Sequence, residues 1–110
     1  MTEKTTNISA SHILIMHDES KDSRSEISKS EAKKIIDDIY KKLTGKKERF
    51  IDLAVKHSDC SSSSHGGSLG EFGKGAMVKP FEDIVFSLKV GAFSKPFESE
   101  FGFHIAKRDK

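Results

Sequence analysis

An amphipathic helix with clear start and stop signals lies in the first half of the chain. Ser28 and Glu31 have the spacing of an N-terminal capping box, and Gly45 is suited to follow the end of the helix. Between these signals, apolar side chains recur at helical spacing and form one stripe: Ala32, Ile35, Ile36, Ile39 and Leu43. The opposite face carries Lys and Asp residues four positions apart, as solvent-facing pairs do. The pattern predicts one helix with a single buried face.

Shorter elements precede and follow this helix. They are a strand at residues 11–16, a second helix that buries Phe50, Leu53 and Ala54, a strand at 69–77, a third helix that begins near Pro80 and buries Phe81, Ile84, Val85 and Leu88, and strands at 93–99 and 101–107. Helices that lie between strands without strict alternation predict an α+β domain with a mainly antiparallel sheet.

Length and charge exclude several classes of protein. The 110 residues suit one domain, which we place at residues 9–110 after a flexible tail at residues 1–8. A net charge of +2 is too small to indicate a nucleic-acid partner. The single cysteine forms no internal disulfide, the polar start lacks a secretory signal, and no apolar run is long enough for a transmembrane segment. We therefore expect a cytoplasmic monomer.

Two histidines and the one cysteine are the main candidates for chemistry. His12 lies in the first predicted strand, Cys60 in a loop rich in serine and glycine, and His104 in the last predicted strand. Terminal strands of a small sheet often lie side by side, so we expect the two histidines to meet. The residues alone leave open a purely structural role for each histidine.

A thiol hydrolase and a metal site also have to be weighed. Cys60 with a histidine could supply a thiolate nucleophile, but Asp59 beside it disfavours a thiolate and no hydrolase signature surrounds it. The histidines do not have the close spacing of zinc motifs: His12, His17, His57, His65 and His104. We expect no metal and no cofactor.

Apolar side chains near glycines predict either a small binding cleft or ordinary core packing. These side chains are Leu69, Phe72, Met77 and Phe81. Methionine and phenylalanine together suit a small apolar pocket.

Three sequence blocks in this order complete the pattern: "ASHILI", "HSDCSSSSHGGSLGEFGKGAMVKPFEDIVFSLKVG" and "SKPFESEFGFHI". Together they resemble the parvulin-type peptidyl-prolyl cis/trans isomerases over residues 8–108. The resemblance implies the parvulin (FKBP-like) fold, a four-stranded antiparallel sheet surrounded by helices. It also implies catalysis of rotation about the bond that precedes proline in proline-containing polypeptides.

The resemblance further implies which residues form the site. The positions that match the family's catalytic residues are His12, Cys60, Ser99 and His104, and the positions that match or adjoin its proline pocket are Leu69, Phe72, Met77 and Phe81. We expect the two histidines to hydrogen-bond as a pair, with Ser99 and Cys60 fixing their tautomers. Cys60 would then line the site without attacking the substrate.

The loop after the first strand bears on the choice of substrate. Family members that prefer phosphorylated Ser/Thr before proline carry a Lys/Arg cluster in this loop. Here residues 18–24 hold three acids and two bases. We therefore predict unphosphorylated X–Pro substrates and a role in assisting protein folding. A proline-binding or chaperone module without catalysis is the alternative.

A cluster of basic residues follows the first helix. Its members are Lys41, Lys42, Lys46, Lys47 and Arg49. The simple interpretation is a solvated face, and the alternative is weak contact with anionic lipid or another acidic surface.

Overall fold

Four strands form one antiparallel sheet in the computed structural model, which describes residues 7–20 and 25–110. The elements in chain order are β1 (Asn7–Ile15), α1 (Lys29–Thr44), α2 (Phe50–His57), a short 3-10 helix (Ser61–His65), β2 (Ser68–Gly73), α3 (Lys79–Ser87), β3 (Phe97–Ser99) and β4 (Gly102–Arg108). The strand order across the sheet is β2-β1-β4-β3. The predicted α+β class and antiparallel sheet are confirmed.

The first and last strands pair at the centre of the sheet, as the sequence predicts. Ile13 of β1 lies opposite Ile105 of β4. Both side chains belong to a core formed with α1 and α2, whereas Ile8 and Ala106 on the other face pack with residues of α3. The sheet therefore separates two apolar clusters, and the second one lies beneath the functional site.

Helix α1 has the predicted capping box. The Ser28 hydroxyl oxygen accepts a hydrogen bond from the Glu31 N–H at 3.2 Å, and the Glu31 carboxylate accepts one from the Ser28 N–H at 3.3 Å. The buried residues of the helix are Ala32, Ile36, Ile39 and Leu43. Ile35 was wrongly included in the stripe and is 37% exposed. At about 100° per residue it lies about 70° around the axis from the centre of the buried set.

Strand β1 begins two residues inside the segment predicted as a tail. Ile8 pairs with Phe72 of β2 and is only 1% exposed, so residues 7 and 8 are part of the domain. The rest of the predicted tail, residues 1–6, lies outside the described residues.

Three other predicted boundaries differ from the structure. β2 ends at Gly73 and not at residue 77, because the chain turns there and the Ala76 N–H donates to the Gly73 carbonyl. The strand predicted at 93–99 is reduced to β3, and Phe93 makes only an isolated bridge with Lys107. Leu88 caps the end of α3 and does not extend it. No helix within the described ranges is both long and apolar enough to cross a bilayer.

Candidate active site

His12 and His104 meet on one face of the central strand pair. Leu14 lies opposite His104, and His12 lies two residues before Leu14 in β1, so the two histidines are diagonal neighbours. Their Nδ1 atoms are 3.2 Å apart, and their rings stack with centroids 5.4 Å apart at 22°. Both side chains are buried. The predicted histidine pair is therefore present.

The hydroxyl of Ser99 determines how protons are arranged along this pair. Its oxygen accepts a hydrogen bond from the Phe101 N–H at 3.1 Å and lies 2.6 Å from Nε2 of His104. A hydroxyl oxygen has two lone pairs, so Ser99 could either donate to Nε2 or accept from it. We assign Ser99 as the donor, which places the His104 proton on Nδ1. That proton is donated to Nδ1 of His12, which leaves the His12 proton on Nε2.

Burial keeps His104 neutral. It lowers the pKa of His104 to about 3, and repulsion from His12, when that ring is protonated, acts in the same direction. Phe97 stacks on the outer side of the His104 ring at 5.1 Å, and Phe81 meets the ring edge-on at 5.9 Å. A neutral ring is required for the proton arrangement described above, because it must accept at Nε2 while donating at Nδ1.

Cys60 is an acidic thiol beside the histidine pair. Hydrogen bonding with His12 lowers the pKa of the thiol to about 6, with smaller contributions from the side chain and N–H of Ser62, while burial opposes the shift. Among the described residues, Nε2 of His12 is buried and has no partner at hydrogen-bonding distance, the Cys60 sulfur included, so its proton is available to the nearby thiol. Asp59, which the sequence places beside the thiol, is not among the groups that shift its pKa. One Asp59 carboxylate oxygen instead accepts the Met16 N–H at 2.8 Å.

The loop that carries Cys60 is hydrogen-bonded to the outer edge of β1. The Leu14 N–H donates to the Ser58 hydroxyl at 3.0 Å, and the Asp59 N–H donates to the Leu14 carbonyl at 2.7 Å. On the other side of Cys60, the His12 N–H donates to the Gly67 carbonyl at 2.9 Å. These bonds occupy the part of β1 beyond its pairing with β2 and hold the cysteine beside His12.

An apolar cavity of about 520 Å³ opens above these groups. Its lining residues are His12, Leu14, Met16, Asp59, Cys60, Leu69, Ala76, Met77, Val78, Phe81, Phe101 and His104. Three of the four predicted pocket residues therefore line it. Phe72 does not, because its buried ring packs behind Phe81, with the two centroids 6.3 Å apart. It supports the wall and is not placed to touch a substrate.

The site contains residues that the sequence did not single out. Phe101 lines the cavity and Phe97 covers His104, yet both lie in short or irregular segments where periodicity gives no signal. The alternation of β1 does place Leu14 and Met16 on the face of His12, so their position could have been found. The other histidines, His17, His57 and His65, lie outside the cavity. Over residues 7–20 and 25–110, no group of three potential ligands converges to hold a metal ion.

Comparison with known proteins identifies the class of this domain. Residues 12–110 match the family described as "Rotamase: PPIC-type PPIASE domain". The chain belongs to this family, the parvulins, and is a peptidyl-prolyl cis/trans isomerase domain.

Individual relatives agree in sequence. The chain is 45% identical over 107 residues to peptidyl-prolyl cis-trans isomerase pin1 of Schizosaccharomyces pombe, with 92% of this chain and 61% of that protein covered. It is 44% identical to peptidyl-prolyl cis-trans isomerase Pin1 of Malus domestica, with 92% of each covered. The chain thus spans less than two thirds of the first protein and nearly all of the second.

Solved structures agree in fold. Peptidyl-prolyl isomerase ESS1 from Candida albicans superposes with a TM-score of 0.94 at 30% identity, covering 100% of this chain and 66% of that chain. The solution structure of TbPIN1 superposes with a TM-score of 0.87 at 30% identity, covering 97% of this chain and 100% of that chain. The predicted parvulin fold is confirmed.

Proposed function

We propose that this domain isomerises X–Pro bonds in unphosphorylated polypeptides and in this way assists their folding. The observation that carries the proposal is an apolar cavity whose floor holds the histidine pair and whose described lining contains no lysine or arginine. Rotation about an X–Pro bond is slow, with a barrier of ~18–20 kcal/mol for loss of amide resonance. Such a site lowers the barrier without breaking a covalent bond.

The apolar wall anchors the proline ring and removes water from the amide. Met77 and Phe81 supply much of that wall together with Leu69. At ~25 cal/mol per Å² of buried apolar surface, a proline-sized group gains a few kcal/mol of binding. Binding of this kind acts equally on the planar and the twisted amide, so it does not by itself raise the turnover rate.

The polar groups must therefore distinguish the twisted amide from the planar one. A planar amide carries partial negative charge on its oxygen, and twisting the C–N bond removes part of that charge. An oxygen held near the Cys60 thiolate is repelled less when the bond is twisted, so the thiolate favours the transition state. His12 keeps the thiolate in place, and His104 and Ser99 keep His12 in the donating tautomer. In this role the sulfur acts by its charge and forms no bond with the substrate.

The choice of unphosphorylated substrates rests on charge. Among the residues that the structure describes, Asp59 supplies the one carboxylate in the cavity lining, and Cys60 adds negative charge next to it. A phosphate dianion needs bidentate or clustered basic groups. The loop bases Lys21 and Arg24 lie outside the described residues, and three acids accompany them in sequence.

The decisive experiment is exchange NMR on a matched pair of peptides that differ only in phosphorylation of the serine before proline. We expect the wild type to accelerate exchange in the plain peptide and to gain nothing from the phosphate. Met77→Ala should slow the catalysed exchange at least tenfold, whereas Val90→Ala, at an exposed position outside the cavity, should not. Faster exchange in the phosphorylated peptide, lost in Lys21→Ala/Arg24→Ala, would overturn the substrate proposal. Peptide binding without acceleration would favour a proline-binding module.

Assistance to folding needs a separate measurement. We expect the domain to shorten the slow refolding phase of a protein limited by X–Pro isomerisation, which takes tens to hundreds of seconds without catalysis. The monomeric state and the cytoplasmic location stay predictions, to be checked by size-exclusion chromatography and by imaging of the tagged protein.

A further inference from the structure

A second groove lies on the opposite side of the sheet from the cavity. Its volume is about 470 Å³, and its lining residues are Leu43, Lys46, Lys47, Glu48, Arg49, Phe50, Ile51, Gly91, Phe93 and Lys107. It shares no residue with the proline cavity. Leu43 and Phe50 belong to the core between the sheet, α1 and α2, on the sheet face away from α3. The groove is therefore a separate surface feature with an apolar floor.

The rim of this groove is strongly basic. Arg49 pairs with Asp52 at 3.1 Å, and Lys107 pairs with Asp109 at 3.1 Å. Lys46 and Lys47 have no carboxylate partner among the described residues. Glu48, the one acid in the lining among the described residues, is already bound by Lys56 at 2.9 Å and approached by Lys42 at 3.8 Å. The groove thus presents uncompensated positive charge above apolar side chains.

Only part of the basic cluster identified in the sequence lines this groove. Lys42 forms ion pairs with Asp38 at 3.4 Å and with Glu48 at 3.8 Å. Lys41 lies outside the groove. Lys107, which is distant in sequence, joins the groove from β4.

Lys46 adopts a backbone conformation that is unfavourable for lysine. Its φ is +56°, whereas Gly45 beside it has a φ of −82°. A left-handed conformation is costly for any residue with a β-carbon, and a glycine in the neighbouring position does not relieve it. The conformation belongs to the end of α1, where the Lys46 N–H donates to the Leu43 carbonyl at 3.1 Å and the Lys47 N–H donates to the Lys42 carbonyl at 3.0 Å. Here the conformation sets a lysine on the rim between α1 and α2.

We propose that this groove binds an acidic segment of a partner polypeptide that carries an apolar anchor side chain. The lysines on the rim would pair with its carboxylates, and the floor of Leu43, Phe50 and Phe93 would take the anchor. A concave apolar floor beneath separated charges suits a peptide better than a lipid headgroup, which needs only the charges. Held there, a client would stay tethered while its X–Pro bonds reach the other face of the sheet.

The test uses a proline-free peptide, Glu-Asp-Glu-Phe-Glu-Asp-Leu-Glu, added to the isotope-labelled full chain and followed by NMR. We expect shifted amides at residues 43–51 and 91–93, with those of His12 and Met77 unmoved. A peptide with alanine in place of Phe and Leu should bind at least tenfold more weakly. Equal binding of the two peptides, or shifts confined to the proline cavity, would overturn the proposal.

Variants separate this groove from general attraction between charges. Lys46→Glu/Lys47→Glu should weaken peptide binding at least tenfold and leave exchange of a short X–Pro peptide unchanged. Lys34→Glu/Lys95→Glu, the same change of charge at exposed positions elsewhere, should bind nearly as well as the wild type. Equal losses in both double variants would contradict the proposal. So would tight, Lys46/Lys47-dependent binding to vesicles of phosphatidylserine and phosphatidylcholine without any peptide shifts.

Discussion

Ser99 donates its hydroxyl proton to Nε2 of His104 across 2.6 Å, and this one bond sets the direction of the hydrogen bonds that follow. The serine oxygen also accepts the Phe101 N–H at 3.1 Å, which orients the hydroxyl. With Ser99 as the donor, His104 donates from Nδ1 to Nδ1 of His12, and the remaining proton of His12 lies on Nε2.

Removal of the Ser99 hydroxyl should therefore weaken catalysis without any loss of the cavity. We expect Ser99→Ala to lower kcat/KM roughly tenfold, the equivalent of about 1.4 kcal/mol in the barrier. Ser99→Thr keeps the hydroxyl and serves as the matched control, with activity near that of the wild type. Nitrogen NMR of the imidazoles should show a mixture of tautomers in the alanine variant alone. A single unchanged tautomer in Ser99→Ala would contradict the assignment.

The thiol of Cys60 should titrate near pH 6. Its pKa is lowered to about 6 by hydrogen bonding with His12, so alkylation by iodoacetamide should reach half of its plateau rate near that pH. His12→Phe should move the midpoint upward, and the denatured chain should show an ordinary thiol pKa. The pKa of the folded state lies below that of the unfolded state. The ionised thiol therefore stabilises the fold above the unfolded value, and this contribution is lost as the pH falls toward 6. A wild-type midpoint above about pH 8 would refute the arrangement.

Acid should destabilise the fold through His104. Its pKa of about 3 in the folded chain lies below the ordinary value of 6.5, so the unfolded chain binds a proton that the folded chain does not. The free energy of unfolding should fall as the pH drops below about 6.5, by a few kcal/mol near pH 4. His104→Phe removes the titrating group and should show a shallower loss in urea unfolding at the same pH values. If the free energy of unfolding fell with pH equally steeply in the wild type and in His104→Phe, groups other than His104 would dominate acid unfolding.

Gly67 should tolerate no side chain. A β-carbon there would lie 2.4 Å from the carbonyl oxygen of His12, at a φ of +86°. We expect Gly67→Ala to lower the free energy of unfolding by several kcal/mol and to abolish isomerase activity. Gly70→Ala is the matched control, because it shares a positive φ of +74° but meets no atom within 4 Å. That variant should lose only about 1–2 kcal/mol. If urea unfolding showed similar losses of unfolding free energy for Gly67→Ala and Gly70→Ala, the close approach to the His12 carbonyl would be unimportant.

Lys46→Gly should stabilise the fold. Glycine adopts a φ of +56° without the steric cost that lysine bears, so the free energy of unfolding should rise by about 1 kcal/mol. Lys46→Ala removes the same charge but keeps the cost, and it should leave stability nearly unchanged. A gain of the same size in both variants would mean that relief of charge repulsion, and not of backbone strain, is responsible.

The parts of the fold with strong local signals could be predicted from the sequence. The capping box and apolar stripe of α1 and the alternation in β1 and β4 were enough to place the helix and to bring His12 beside His104. The regions that departed from prediction lack such signals. The serine run that forms the 3-10 helix has no hydrophobic period, and β3 is shorter than the pattern around Phe93 indicates.

Features assembled from distant segments could not be predicted locally. Phe72 and Phe81 are both phenylalanines near glycines, so the sequence does not distinguish them. Only the packing of α3 decides that the Phe81 ring faces the cavity and the Phe72 ring lies behind it. Similarly, the basic groove joins Lys46 to Lys107, and no pattern within either segment links them. The lowered pKa of the Cys60 thiol follows from the approach of His12 and is not set by Asp59, its neighbour in the sequence.

The loop that carries Cys60 also protects an exposed strand edge. Beyond Ser68, the first residue of β2, Ser58 and Asp59 supply hydrogen bonds to β1 in place of that strand. If the loop detached, the backbone N–H groups of Leu14 and Met16 would lose their partners at an apolar edge, which is a template for pairing between molecules. Loss of catalytic geometry and onset of aggregation would then begin with the same local opening. The bonds that cover the strand edge are therefore also the bonds that hold the thiol in position.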